Sequence, residues 1–170
     1  MATLAPPRAP KRKSIAPDLY ERLLAIGSIL LLATVLAAIA RGSAHWEEMP
    51  AIVWFHLLTI VTALALTPLL LLQRRGTRLH RRLGRAWAST MMATAIASLF
   101  VRGMNHGGWS PIHILSVITI VGVPAAVWRA RLHDVSGHRQ SMRILITGAL
   151  ILAGVFTFPF DRTLGRWLFG

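Results

Sequence analysis

With no cysteine in the chain, a metal or haem iron would have to be held by histidine, and four of the seven histidines recur in register. One copy of a repeat opens Phe55-His56-Leu57-Leu58-Thr59 and the other Ile112-His113-Ile114-Leu115-Ser116. Each runs through an apolar stretch containing a proline (Pro68, Pro124) into a basic loop. Each closes on His-Arg-x-x-x-Arg, as His80-Arg81 to Arg85 and His138-Arg139 to Arg143. The step from first to second histidine is 24 residues in one copy and 25 in the other. Paired imidazoles at matched depths are what a haem or metal site requires. Two structural anchors would look the same.

Depth and spacing separate the two pairs. His56, Thr59, Ala63 and Thr67 share one face of a helix, at steps of three and four, and His113 with Ser116 repeats its start. A neutral imidazole there can ligate haem iron through Nε2 while its other nitrogen is held by an acceptor. Arg102 is the candidate partner for a haem propionate. Beside Trp54 and Trp109 the same histidines would serve as interfacial residues with a water or headgroup partner. His80 follows Thr77 and His138 follows Ser136, which places both in a first helical turn at the membrane surface. There Arg81, Arg85, Arg139 and Arg143 stand beside free backbone N–H groups. That is a site for phosphate or carboxylate, from a lipid headgroup or a haem propionate. His45 and His106 are isolated in loops without ligand spacing, and no metal site is assigned.

The elements that must hold these residues are apolar helices. Hydrophobic residues make up 54% of the 170 positions and charged ones 15%, too little charge for a soluble domain of this size. Five apolar blocks, roughly 19–40, 51–72, 83–101, 112–128 and 142–159, each match the ~20 residues that cross a ~30 Å hydrocarbon core as helix. The third carries Ser89, Ala93 and Ala97 at every fourth position, with Thr94 and Ser98 beside them, the spacing of a close-packed central helix. Ala149 and Ala153, next to Gly148 and Gly154, give the fifth the same character. The expected fold is an all-α membrane protein of five transmembrane helices. Two repeated helical hairpins, copies about 50–102 and 109–160, form a four-helix core with the first helix on its flank. Two spans per copy make the repeat a parallel one.

Charge gives the orientation. Lys and Arg number five before the first span, then one, six, one, four and two along successive loops. Fifteen of the nineteen therefore fall on one side, the cytoplasmic side by the positive-inside rule. The expected protein spans the bacterial inner membrane several times, N-terminus cytoplasmic and C-terminus periplasmic. Nucleic acid would need its charge on one face of one fold, so it is not an expected partner of this +13 chain. Residues 1–17 read as a disordered, Pro-rich basic tail against anionic headgroups, and 18–170 as a single membrane domain. Asp18 and Glu21 have capping-box spacing, so the first helix starts there, with Tyr20 at headgroup level. All six acidic residues lie at span ends or in loops, which argues against a carboxylate proton relay at the midplane.

Three segments carry a family resemblance: Leu79-His80-Arg81-Arg82-Leu83-Gly84-Arg85, Trp109-Ser110-Pro111-Ile112-His113, and Gly137-His138-Arg139-Gln140-Ser141-Met142-Arg143. Over about residues 50–160 the chain resembles a bacterial membrane-protein family, domain of unknown function 2306, which implies the fold but no activity. More distantly it resembles the ascorbate-reducible di-haem transmembrane cytochromes b. By helix order that likeness implies His56 paired with His113 and His80 with His138. Those cytochromes space their ligands by well over thirty residues, whereas here the steps are 24, 33 and 25. Two function classes follow. One is a non-catalytic accessory or structural subunit of a membrane complex, with lipid-binding basic loops and other subunits as partners. The other is a haem-b electron-transfer protein using the paired histidines. The sequence holds no nucleophile constellation or nucleotide motif, and no catalytic residue is assigned.

Overall fold

The computed structural model describes residues 16–101, 111–159 and 162–170. Arg102, His106 and residues 1–15 of the basic tail lie outside the described residues. Helix α1 (Leu19–Arg41) starts on the expected capping box. Asp18 Oδ1 accepts the Glu21 amide at 3.1 Å, and the Glu21 carboxylate accepts the Asp18 amide at 3.2 Å. At the far end a 3-10 segment (Gly42–Glu48) turns the chain, with Trp46 edge-on to Trp54 at 5.3 Å between ring centroids.

Helices α2 (Ala51–Leu72) and α3 (Arg78–Phe100) form the first hairpin. Thr77 caps α3 by accepting the His80 amide at 3.0 Å, as its position before that histidine predicts. The buried indole of Trp87 donates to Thr67 Oγ1 at 2.9 Å, and Thr67 donates in turn to the Ala63 carbonyl at 2.7 Å. Next to them Pro68 has no N–H to give the helix, so the hydroxyl and indole bonds brace α2 where its own ladder is broken.

Helix α4 (Pro111–Arg131) packs on the other side of α3, and α5 (Val135–Leu145) returns against α4. The cap of α5 is Asp134, whose carboxylate accepts the Gly137 amide at 2.9 Å, so Ser136 is inside the first turn. A π-helical segment (Ile146–Leu152) continues α5 without a break into α6 (Ala153–Val155), and α7 (Thr163–Phe169) folds back onto α1. The chain is all-helical, with no strand among the described residues.

Three helical stretches are long and apolar enough to cross a membrane: Leu19–Glu48, Ala51–Leu72 and His113–Arg131. Helix α3 falls short because Arg78, Arg81, Arg82 and Arg85 occupy its first two turns. In the fifth block, expected as one uniform helix, the polar α5 and the π segment divide the length between them. Helix α1, expected on the flank, contributes Leu24, Ala25, Leu31 and Val35 to the same core as Leu64 of α2 and Trp87 of α3. On α3 the buried seam runs through Trp87, Met91, Thr94, Ala95 and Ala97, while Ser89 faces outward. Small residues do place α3 between α2 and α4, on a stripe rotated from the Ser89–Ala93 spacing.

Candidate functional site

Helix α3 receives the His56 and His113 motifs, one on each side. On α2, Thr59 sits one turn after His56, and its Oγ1 accepts the Thr94 hydroxyl at 2.8 Å. On α4, Ser116 follows His113 by the same three residues and donates to Ser98 Oγ at 3.0 Å. Thr94 and Ser98 are themselves one turn apart. The repeat therefore docks twice on one helix through equivalent hydroxyls, each buried donor matched to an acceptor.

The imidazoles enter a common space. His56 and His113 both line a cavity of about 940 Å³ walled by α1, α2, α3, α4 and the π segment. His56 Nδ1 lies 3.2 Å from the Thr94 carbonyl oxygen. A carbonyl only accepts, so this bond puts the proton of the neutral ring on Nδ1 and leaves Nε2 with its lone pair. His113 is 4% exposed. Where the π segment meets the cavity, Ala149 and Leu150 form its wall. Leu31, Val35, Leu64 and Met91 make the deeper lining apolar, and Arg162, Thr163 and Arg166 stand at the α7 end. The Nε of Arg162 is buried without a hydrogen-bond partner, a state that costs ~1–3 kcal/mol or more for a charged donor. Desolvation there pushes the guanidinium below its usual range.

The inner pair lies at the opposite pole. His138 Nδ1 is 2.9 Å from the Ala126 carbonyl oxygen, again fixing the proton on Nδ1 of the neutral ring. His80 Nδ1 is buried with no hydrogen-bond partner. Burial lowers the His80 pKa, and the positive fields of His138, Arg75 and Arg81 lower it further. His138, when protonated, bears on His80 through its charge.

The arginines of the two His-Arg-x-x-x-Arg motifs are used differently. Arg139 grips Glu21 bidentately, Nε to Oε1 at 2.7 Å and Nη2 to Oε2 at 2.9 Å. Arg143 bonds Glu21 Oε1 at 3.2 Å and also bonds Asp18, and its guanidinium lies 5.5 Å from the centroid of the Tyr20 ring. Arg75 from the α2–α3 loop completes the set on Glu21, which is 1% exposed. In the other copy Arg81 donates to the Gly76 carbonyl at 2.6 Å, and Arg85 is exposed. Tyr20 is half exposed, and its hydroxyl bonds Thr147 Oγ1 at 2.7 Å.

Sequence reasoning missed the roles of four residues. Glu21 was legible as a cap but not as a hub, because its partners are more than fifty positions away. Thr94 and Ser98 were noticed for their size, although hydroxyls four apart on a central helix also signal docking. Arg162 lay beyond the repeat, and its only signal was a cation near the C-terminus one helical turn from Arg166.

A helical bundle with three helices long and apolar enough to cross a membrane is the architecture of a membrane protein. Over residues 52–164 the chain matches the family described as predicted membrane protein (DUF2306), and it belongs to that family. No curated protein and no solved structure gives a significant match.

Proposed function

We propose that this chain is a non-catalytic component of a bacterial inner-membrane complex that binds haem b in its outer half, between His56 and His113. It crosses the membrane five times, N-terminus in the cytoplasm and C-terminus in the periplasm, with the two repeats as parallel hairpins. One observation carries the ligand reading: the two matched histidines line the same cavity. Among the described residues no three His, Asp or Glu side chains converge. Two imidazoles alone suit a macrocycle that brings its own in-plane nitrogens better than a bare zinc, which takes three or four protein ligands. Thr94 presents the His56 ring in the tautomer a ligand needs. Haem bound there would supply one-electron transfer, while the apolar walls and the hydroxyl-braced α3 keep water and ring rotation in check.

The test is a reduced-minus-oxidised absorption spectrum of the protein purified in detergent after expression with ample haem. Low-spin haem-b bands are expected, lost in His56→Ala and in His113→Ala and retained in His45→Ala. A wild-type protein with no Soret band would end the haem reading. The accessory-subunit reading would then stand by itself. It is favoured by the exposed Arg78, Arg81, Arg82 and Arg85 on the first two turns of α3, a basic surface suited to anionic lipid headgroups.

A further inference from the structure

The α7 end of the cavity holds a charge that neither His56 nor His113 uses. Arg162 precedes α7, lines the cavity, and leaves its Nε buried and unbonded. Among the described residues no carboxylate forms an ion pair with it, whereas at the opposite pole Glu21 alone gathers Arg75, Arg139 and Arg143. Three arginines at that pole are paired with carboxylates, while Arg162 faces a cavity. A guanidinium presents Nε–H and Nη–H as a planar fork, the complement of a carboxylate's two oxygens. Arg166 lines the same cavity one turn further on, and its amide donates to the Arg162 carbonyl at 2.9 Å, so both cations belong to one rigid turn. Away from that turn the lining becomes apolar at Leu31, Val35, Leu64 and Met91. Charge at one end and hydrocarbon at the other describe the shape of an acidic amphiphile.

We propose that Arg162 is the head-group site of this cavity, taking the carboxylate of an amphiphile whose apolar body lies among the α1, α2 and α3 side chains. A haem propionate and a long-chain fatty acid share that chemistry. The inference rests on reading the cavity as a ligand site, and the experiment separates its failure from that of the haem assignment.

Full-length protein in detergent is titrated with hemin, with palmitate, and with the neutral alcohol of the same chain length. The same titrations are run on Arg162→Gln and Arg162→Lys, after thermal melting and gel filtration show which variants fold. Expected is binding of at least one acid by the wild type, weakened about tenfold by Arg162→Gln and partly kept by Arg162→Lys, as loss of one charge-assisted bond implies. Alcohol binding should not change. Should hemin fail to produce a Soret band while palmitate shows this Arg162 dependence, the head-group site stands and haem b falls. If hemin binds with Arg162 dependence and palmitate does not, the head is a propionate. Equal binding of acid and alcohol, unchanged acid binding in Arg162→Gln, or no acid bound by the wild type each overturn the proposal.

Discussion

An imidazole with Nδ1 committed to a carbonyl is a directional group, and His56 and His138 are both held this way, on Thr94 and Ala126. His80 is the exception, with a buried Nδ1 and no partner. Burial favours its neutral form, as do the neighbouring cations Arg75 and Arg81. An unfolded chain takes up a proton at such a histidine near pH ~6.5, whereas the folded chain resists until lower pH. The unfolded state therefore binds more protons in that window, and stability falls as pH drops below ~6.5 toward the folded value. We expect the melting temperature to decline over that range and the decline to be shallower in His80→Gln. Parallel pH profiles for the two proteins would remove His80 as its source. The histidine register and the hydroxyl three positions later were legible at this scale, because helical spacing is printed in the sequence. Their common dock on Thr94 and Ser98 was not, since nothing local says which helix lies between two others.

Among the elements, α1 is tied to the bundle by charge as much as by packing. Glu21 holds α1 to the α2–α3 loop through Arg75 and to α5 through Arg139 and Arg143. Removing one side of a buried ionic set leaves the others uncompensated, at ~3–5 kcal/mol. Glu21→Gln should therefore lower thermal stability in detergent by about 3 kcal/mol, far more than Asp18→Asn, whose side chain is 45% exposed. Similar melting of the two variants would deny Glu21 its role as hub. Helix α7 is the second attachment. A Cβ on Gly165 would lie 1.8 Å from the Phe158 carbonyl oxygen, and Trp167 packs where a Gly42 Cβ would stand. Gly165→Ala should displace α7, with the ~1–3 kcal/mol penalty of overpacking. Hydrogen exchange would rise across Thr163–Phe169 and stay slow in α2 and α3. Protection of α7 equal to the wild type would refute that. The sequence predicted the bounds of α2 residue for residue and the start of α1, because apolar runs and a capping box are local signals. In the sequence the apolar block of α3 begins only at 83, but Thr77 before His80 marked the true helix start, because a cap is legible even where basic residues fill the first turns. The π segment escaped it entirely, because Ile146–Leu152 has ordinary helical composition.

For the whole molecule, the ends of the helices sort into two poles. The starts of α1, α3 and α5 meet the ends of α2 and α4 through Asp18, Glu21, Arg75, His80, His138 and Arg139. The other pole has the Trp46–Trp54 contact, the histidine-lined cavity and α7. Arg74, Arg75, Arg78, Arg81, Arg82 and Arg85 around the α2–α3 turn, and Arg129, Arg131, Arg139 and Arg143 around the α4–α5 turn, fall at the first pole, as does Arg22. Ion pairing to Asp18 and Glu21 neutralises only part of that charge, so a strong positive excess remains there. An excess of this size within short loops is what retains a loop in the cytoplasm during insertion. The histidine cavity would then open toward the periplasmic half, and Arg162 would meet ligands arriving from that side. A topology reporter fused after Gly170 should accordingly be active as alkaline phosphatase and dark as a green fluorescent protein. The same pair of reporters placed at Gly76, between α2 and α3, should give the reverse. Helix α3 is a span on which this depends heavily, since its first turns are basic and it falls short of the apolar character of α1, α2 and α4. If it failed to cross, the Gly76 fusion would still read cytoplasmic while the Gly170 fusion would switch. A fluorescent, phosphatase-negative Gly170 fusion would therefore overturn the five-crossing topology and turn the cavity toward the cytoplasm.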